Sequence, residues 1–247
     1  FGRHFVGGLN RVRYADSGDG AWGRLRATVG GTDLPLGLLS ALSASLMPVS
    51  KLGHTLQANA FDADYLFELQ KQIRSSRYFA VNNLNRDFVG TRGFSIVFRR
   101  SSLALVVEQF PWTEQYLKLA LRDDCNAFYL NPLQLAEGSH VSPHIDRSLH
   151  AYVVDVLPPL QVSVLYVEVP QGLRGGGLVL RRGKKFLGRV APQEGLLLQF
   201  HGDLQHAVEK VQTPGLRLSL VCEQYRLDES ELEGMPEYTV ESRAKSY

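Results

Sequence analysis

The chain has 247 residues, 44% of them hydrophobic and 21% charged, which is enough to bury a sizeable core and too apolar to stay disordered. Its 27 Lys and Arg against 25 Asp and Glu leave a formal charge of +2, so nothing supports a nucleic-acid partner held by bulk charge. Two cysteines, Cys125 and Cys222, allow one bridge at most; a disulfide framework is excluded, and a reducing, cytoplasmic location is expected.

In chain order, the most apolar early run, 36–49, is broken by Ser40, Ser43 and Ser45 and falls short of the roughly 20 residues that cross a bilayer. No membrane span is expected. The sequence opens at Phe1, so a targeting segment removed upstream is compatible with it. Asp33, Leu34 and Pro35 followed by Leu36, Leu38, Leu39, Leu42 and Leu46 read as a capped amphipathic helix. A second helix is predicted from Asp62, with Leu66, Leu69 and Ile73 on one face. The runs 94–98 and 103–107 flank a polar Arg-Arg-Ser-Ser and predict a hairpin. The stretch 111–121, with Pro111 at its start, predicts one more helix.

After Asp123 the texture changes. Short β-branched and aromatic runs at 127–130, 161–169, 177–180, 186–190, 196–200, 207–211 and 216–225 alternate with turn signals such as Gly175-Gly176-Gly177 and Pro214-Gly215. Many closely spaced strands argue for a sandwich or barrel, not βαβ units. The tail 228–247 is polar and reads as a solvated extension. The expected organisation is one domain over 1–247, with a helical and hairpin part (1–122), a β core (123–227) and that C-terminal extension.

The chemistry gathers around His144 and Asp146, in Ser142-Pro143-His144-Ile145-Asp146. In a strand, residues two apart face one side, so both can point at one ion. A third ligand from another strand would leave open positions, and two imidazoles with one carboxylate suit non-haem Fe(II) and O2. A His-x-Asp pair alone is a weak signal. Here His206 follows at a distance, and Arg217 and Ser219 share a face if 216–225 is a strand. A guanidinium inside a β core is costly unless it meets an anion, and a carboxylate is its bidentate partner.

From Phe128 to Tyr225 these features together resemble the Fe(II)/2-oxoglutarate-dependent dioxygenases. The pattern is His-x-Asp, a Gly-Gly turn at Gly176-Gly177, a second histidine at His206 and a basic residue at Arg217. The resemblance implies an α+β, β-rich fold: a double-stranded β-helix (jelly-roll) core with the N-terminal helices packed outside. It implies that His144, Asp146 and His206 bind Fe(II) and form the catalytic centre, and that Arg217 grips the distal carboxylate of 2-oxoglutarate. Ser219 would join Arg217 or be simply a small inward residue. Tyr129 and Asn131 would face the pocket and bond the co-substrate, or Tyr129 would be a core aromatic. The activity implied is hydroxylation of an unactivated C–H bond in an amino acid, small metabolite or peptidyl side chain. O2 is consumed, succinate and CO2 are released, and ascorbate is a candidate reductant.

The prolyl-hydroxylase-like branch is the nearest in flavour, through Tyr129 and the segment Ser142 to Asp146. Two departures separate the chain from it: Arg217 stands where that branch usually has Lys, and Leu178 where it has an acid. Two other readings stay open at this point, a jelly-roll scaffold without turnover and a cupin-like enzyme using another metal. His201 with Asp203 forms a rival His-x-Asp pair, read as loop or rim; His140 and His150 read as rim, and His4 and His54 as ordinary. The run Arg181-Arg182-Gly183-Lys184-Lys185 reads as a solvated hairpin turn, or as a receiver for an acidic substrate.

Overall fold

The computed structural model describes residues 26–29, 32–35, 53–82, 84 and 86–244. The chain divides into two compact units, Phe1–Pro48 and Val49–Tyr247. In the first, β1 (Arg26–Val29) and β2 (Thr32–Pro35) form an antiparallel hairpin. Asp33 and Leu34 thus belong to a strand and not to a helix cap; the rest of the leucine helix expected there, 36–46, lies outside the described residues.

The second unit opens with β3 (His54–Gln57) and α1 (Ala63–Ser75). Asp62 caps α1 by accepting from the Tyr65 amide at 2.8 Å, and Leu66, Leu69 and Ile73 form its buried face. Then come β4 (Ala80–Val81), β5 (Phe88–Gly93), β6 (Ser95–Arg99), α2 (Leu103–Gln109), a 3-10 turn at Pro111–Thr113 and α3 (Glu114–Ala120). The expected hairpin partner 103–107 is therefore a helix. Both edges of β6 are already taken, one by β7 (Ala127–His144) and the other by β14 (Tyr238–Glu241), so no place remains for a hairpin strand. Arg100, between β6 and α2, also fastens the turn by donating from Nε to the Cys125 carbonyl at 2.6 Å.

The core strands are β8 (Gln161–Glu168), β9 (Leu178–Arg182), β10 (Lys185–Val190), β11 (Leu197–His201), β12 (Gln205–Val208) and β13 (Arg217–Tyr225). They run β10-β9-β12-β7-β13-β8-β11-β3, with every pairing antiparallel. The strand shared by both halves is β7. Its first half pairs with β13 and β6; near Gly138, whose φ of +85° is left-handed, it crosses over, and its second half pairs with β12. The sheet curls about that crossing into a half-barrel. The fold is α+β and β-rich, with a jelly-roll core. Among the described residues no helix is long and apolar enough to cross a membrane.

The helices pack outside, against one face of this sheet. Strand β13 shows how the sequence arranges it. Leu218, Leu220 and Cys222 point at the helical layer with Leu69, Ile73, Phe110 and Leu117, while Arg217, Ser219, Val221 and Glu223 line a cavity on the opposite face. Alternation with period 2 separates the two sets. Arg74 on α1 ties the layers by an ion pair to Glu168 on β8 and by a 3.2 Å bond to Gln134 on β7. The expected solvated tail is another correction. Asp228 caps a short α4 (Glu229–Gly234) through a capping box, Met235 is buried, and β14 completes the sheet beside β6. The pairing edge of β6 and the apolar Met235 and Val240 supply what polar composition alone hides.

Candidate active site

One cavity collects most of the candidate residues. The second half of β7 carries His144, the next turn carries Asp146, and β12 carries His206 directly opposite His144 in the strand register. Their ligand atoms lie within 4.8 Å of one another. Among the described residues they are the one such group of three or more His, Cys, Asp or Glu. His201 ends β11 outside this group, and its backbone amide donates to the Gly53 carbonyl at 3.1 Å.

Each imidazole is oriented from behind. His144 Nδ1 lies 2.8 Å from the Ser142 carbonyl and His206 Nδ1 3.2 Å from the Leu204 carbonyl. A carbonyl can only accept, so Nδ1 holds the proton and Nε2 is left with its lone pair. Nε2 of His144 is 3.1 Å from Asp146 Oδ1, and Nε2 of His206 is 3.3 Å from Asp146 Oδ2. Aromatic rings bracket the pair, with Phe88 edge-on to His144 at 5.1 Å and Phe200 edge-on to His206 at 4.9 Å. Burial pushes the Asp146 carboxyl up, but the two imidazoles outweigh it and hold it well below the usual carboxylate range. For His144 burial acts downward, and Asp146 with the Ser142 carbonyl reverses it, leaving a net rise. Asp146 Oδ2 has no hydrogen-bond donor. Two nitrogen lone pairs converging on a buried carboxylate repel it unless protons or a cation stand between. This donor set fits a divalent transition metal.

Further into the cavity, Arg217 is 2% exposed and yet its Nε and Nη1 meet no hydrogen-bond acceptor. Its guanidinium lies 4.8 Å from the Tyr166 ring centre. Burial depresses its pKa, with the nearby Tyr166 phenol opposing the fall. Ser219, also buried, has an unpartnered hydroxyl two residues along the same face. A desolvated cation with free donors costs several kcal/mol unless an anion meets it. A small carboxylate fits that requirement by charge and by fork geometry.

Asn131 lines the cavity, although its amide is committed to the Phe94 carbonyl at 2.7 Å and to Ser95 Oγ at 3.2 Å. Tyr129 is not brought to the cavity wall. Its hydroxyl donates to Glu241 at 3.4 Å and meets Ser95 at 2.6 Å, and its ring packs with Leu149, Val153 and Tyr225. The core-aromatic alternative describes its place. Sequence reasoning passed over Glu223 and Tyr166. Glu223 continues the inward series of Arg217, Ser219 and Val221, so period 2 along β13 carried the signal. It is buried, accepting from the Ser148 amide at 3.2 Å, from Ser148 Oγ at 2.5 Å and from the Tyr225 hydroxyl. Tyr166 gave no such signal, because it reaches Ser219 only through the pairing of β8 with β13.

No family model matches the chain, and no curated protein matches it. Among solved structures the chain is similar to a prolyl-4-hydroxylase from Pseudomonas putida, at 19% identity over 76% of this chain and 100% of that one, TM-score 0.51. An oxidoreductase of the 2OG-Fe(II) oxygenase family from Burkholderia pseudomallei is similar at 16% identity over 76% and 91%, TM-score 0.49. HygX from Streptomyces hygroscopicus, solved with nickel and 2-oxoglutarate, is similar at 12% identity over 78% and 87%, TM-score 0.48. At 19% identity the likeness to the Pseudomonas putida protein is one of fold alone.

Proposed function

We propose that the chain is an Fe(II)- and 2-oxoglutarate-dependent oxygenase that hydroxylates an unactivated C–H bond of a peptidyl or small-molecule substrate. The observation that carries this reading is Arg217, a buried cation with unmet donors, in the same cavity as a His-Asp-His set. A metal site alone would suit a cupin-like enzyme, and a scaffold would need neither feature. When bound, the metal and co-substrate supply oxidation by O2 with release of succinate and CO2, and ascorbate serves as reductant.

The chain's own residues bind, orient and exclude water. The Ser142 and Leu204 carbonyls fix the Nδ1 protons, so His144 and His206 present Nε2 to the metal beside Asp146. Arg217 and Ser219 receive the far carboxylate of 2-oxoglutarate, with Tyr166 bracing the guanidinium. Val162, Val164, Leu178, Val208 and Val221 supply an apolar lining that keeps water from the reacting carbon. Unpaired, buried Cys125 and Cys222 suit a reducing, cytoplasmic setting.

The test is succinate formation from 2-oxoglutarate under Fe(II), O2 and ascorbate, with and without candidate substrates. The expected result is turnover in the wild type that Asp146→Ala abolishes. Absence of both turnover and saturable 2-oxoglutarate binding to the Mn(II)-loaded protein would overturn the reading.

A further inference from the structure

A basic hairpin extends beyond the strand level at which the metal ligands sit. Strand β12 pairs with β7, setting His206 opposite His144, and with β9, setting His206 opposite Leu180 and Gln205 opposite Arg181. So β9 passes the level of the metal ligands at Leu180 and turns back just beyond, through Arg181, Arg182, Gly183, Lys184 and Lys185. These residues and Phe186 are all exposed, and Arg181 stands 5.8 Å over the Phe186 ring. The segment 178–190 holds no acid. Arg189 is taken by Glu209 at 2.6 Å, and the four cations of the turn have no ion pair among the described residues. Elsewhere at this end both signs of charge occur. Arg147 follows Asp146 and Asp203 precedes His206, while Arg86 and Asp87 stand before Phe88. The local surplus is therefore the hairpin's own.

We infer that the hairpin joining β9 and β10 is a docking element for an acidic peptide segment, whose target side chain enters the cavity beside it. The inference rests on the oxygenase reading above and adds the substrate class. A single exposed ion pair changes affinity by no more than about fivefold. One carboxylate on a small metabolite therefore gains little from a solvated tip. Several acids along a chain engage several of these cations at once and gain in proportion. Phe186 adds apolar contact for a neighbouring side chain. Nucleic acid fits less well, since stacking on successive bases uses a series of rings and this segment exposes one.

The test uses the full chain loaded with Mn(II) and 2-oxoglutarate, and matched fluorescent peptides of equal length carrying Glu, Ser or Lys at the same alternate positions. An oligodeoxynucleotide serves as the competing polyanion. The Glu peptide is expected to bind best, and the combined variant Arg181→Ser, Lys184→Ser and Lys185→Ser to weaken it by about tenfold. The variant should also flatten the salt dependence while leaving Mn(II) and 2-oxoglutarate binding unchanged. Equal binding of the three peptides, no binding of the Glu peptide, an unaffected variant, or preference for the oligonucleotide would each overturn the inference. Failure of 2-oxoglutarate to bind the wild type instead strikes the oxygenase reading, and is read separately in the same samples.

Discussion

His206 on β12 stands opposite His144 on β7, and the two imidazole rings sit 4.3 Å apart. Strand pairing alone sets the two imidazoles side by side, and the turn that follows β7 adds Asp146. Without a cation, only protons can stand between the two Nε2 atoms and the Asp146 carboxylate. Titration with Mn(II) as a redox-silent stand-in for Fe(II) is expected to show one site per chain. Binding should also raise the melting temperature, since a ligand at a hundred times its Kd stabilises by about 2.7 kcal/mol. Asp146→Ala and His206→Ala should each weaken binding strongly, and His201→Ala should not. Unchanged affinity in His206→Ala would remove the third ligand from the assignment.

Arg217 is expected to govern 2-oxoglutarate and leave the metal alone. Removing a desolvated charged partner costs about 2–5 kcal/mol, so Arg217→Ala should raise half-saturation by roughly a hundredfold. Arg217→Lys, which keeps the charge but not the fork, should cost less. Mn(II) affinity in both variants should match the wild type. A wild-type 2-oxoglutarate dependence in Arg217→Ala would leave the triad compatible with any metal-dependent jelly roll.

A third prediction concerns the joint between layers. Gln224 on β13 is fully buried, accepts from the Arg122 amide at 2.8 Å and donates to the Ala120 carbonyl at 2.9 Å. It thereby satisfies backbone groups at the end of α3. Each buried group left unpaired costs about 1–3 kcal/mol, so Gln224→Leu should destabilise by about 2–5 kcal/mol in urea unfolding. Metal affinity should be retained, because the side chain points away from the cavity. A change under about 0.5 kcal/mol, the scale of an ordinary surface substitution, would contradict the joint.

The core strands and the His144–Asp146 pair were legible because their signals are local, whereas His206, distant in sequence, joins them only through the resemblance and the pairing of β12 with β7. Runs of β-branched residues bounded by Gly and Pro mark β8 to β13, and His144 and Asp146 lie two apart. What escaped depends on partners distant in sequence. The run 103–107 has strand-like composition, yet β6 is flanked by β7 and β14, and the chain coils instead. β14 itself is a polar strand that pairs only because that edge is open. Tyr129 shares the inward parity of Asn131, but lies farther along β7, where the turn after Asp146 and residues 149–156 close the space. Parity tells which face a residue takes, not how far the cavity extends.

Glu223 yields a pH prediction for the metal-free protein. Burial first, and the Asp146 charge second, push its carboxyl up to about 8, against the lowering contacts from Ser148 and Tyr225. In the unfolded chain a glutamate titrates at about 4.3. Between these values the folded state holds a proton that the unfolded state has released, so stability falls as pH rises. The contribution is fully present below the unfolded value and is lost as pH passes through about 8. Glu223→Gln cannot ionise and keeps an oxygen for Ser148 and Tyr225. Urea unfolding across this range should therefore show the wild type losing stability relative to the variant as pH increases. The slope from His144 cancels only in part, because the Glu223 charge helps to raise it, so the comparison is read on the direction of the difference. Mn(II) should shrink the gap, because a cation beside Asp146 offsets the charge that raises Glu223. Parallel pH profiles for wild type and variant would mean that Glu223 is already ionised in the fold, held as an anion by Ser148 and Tyr225.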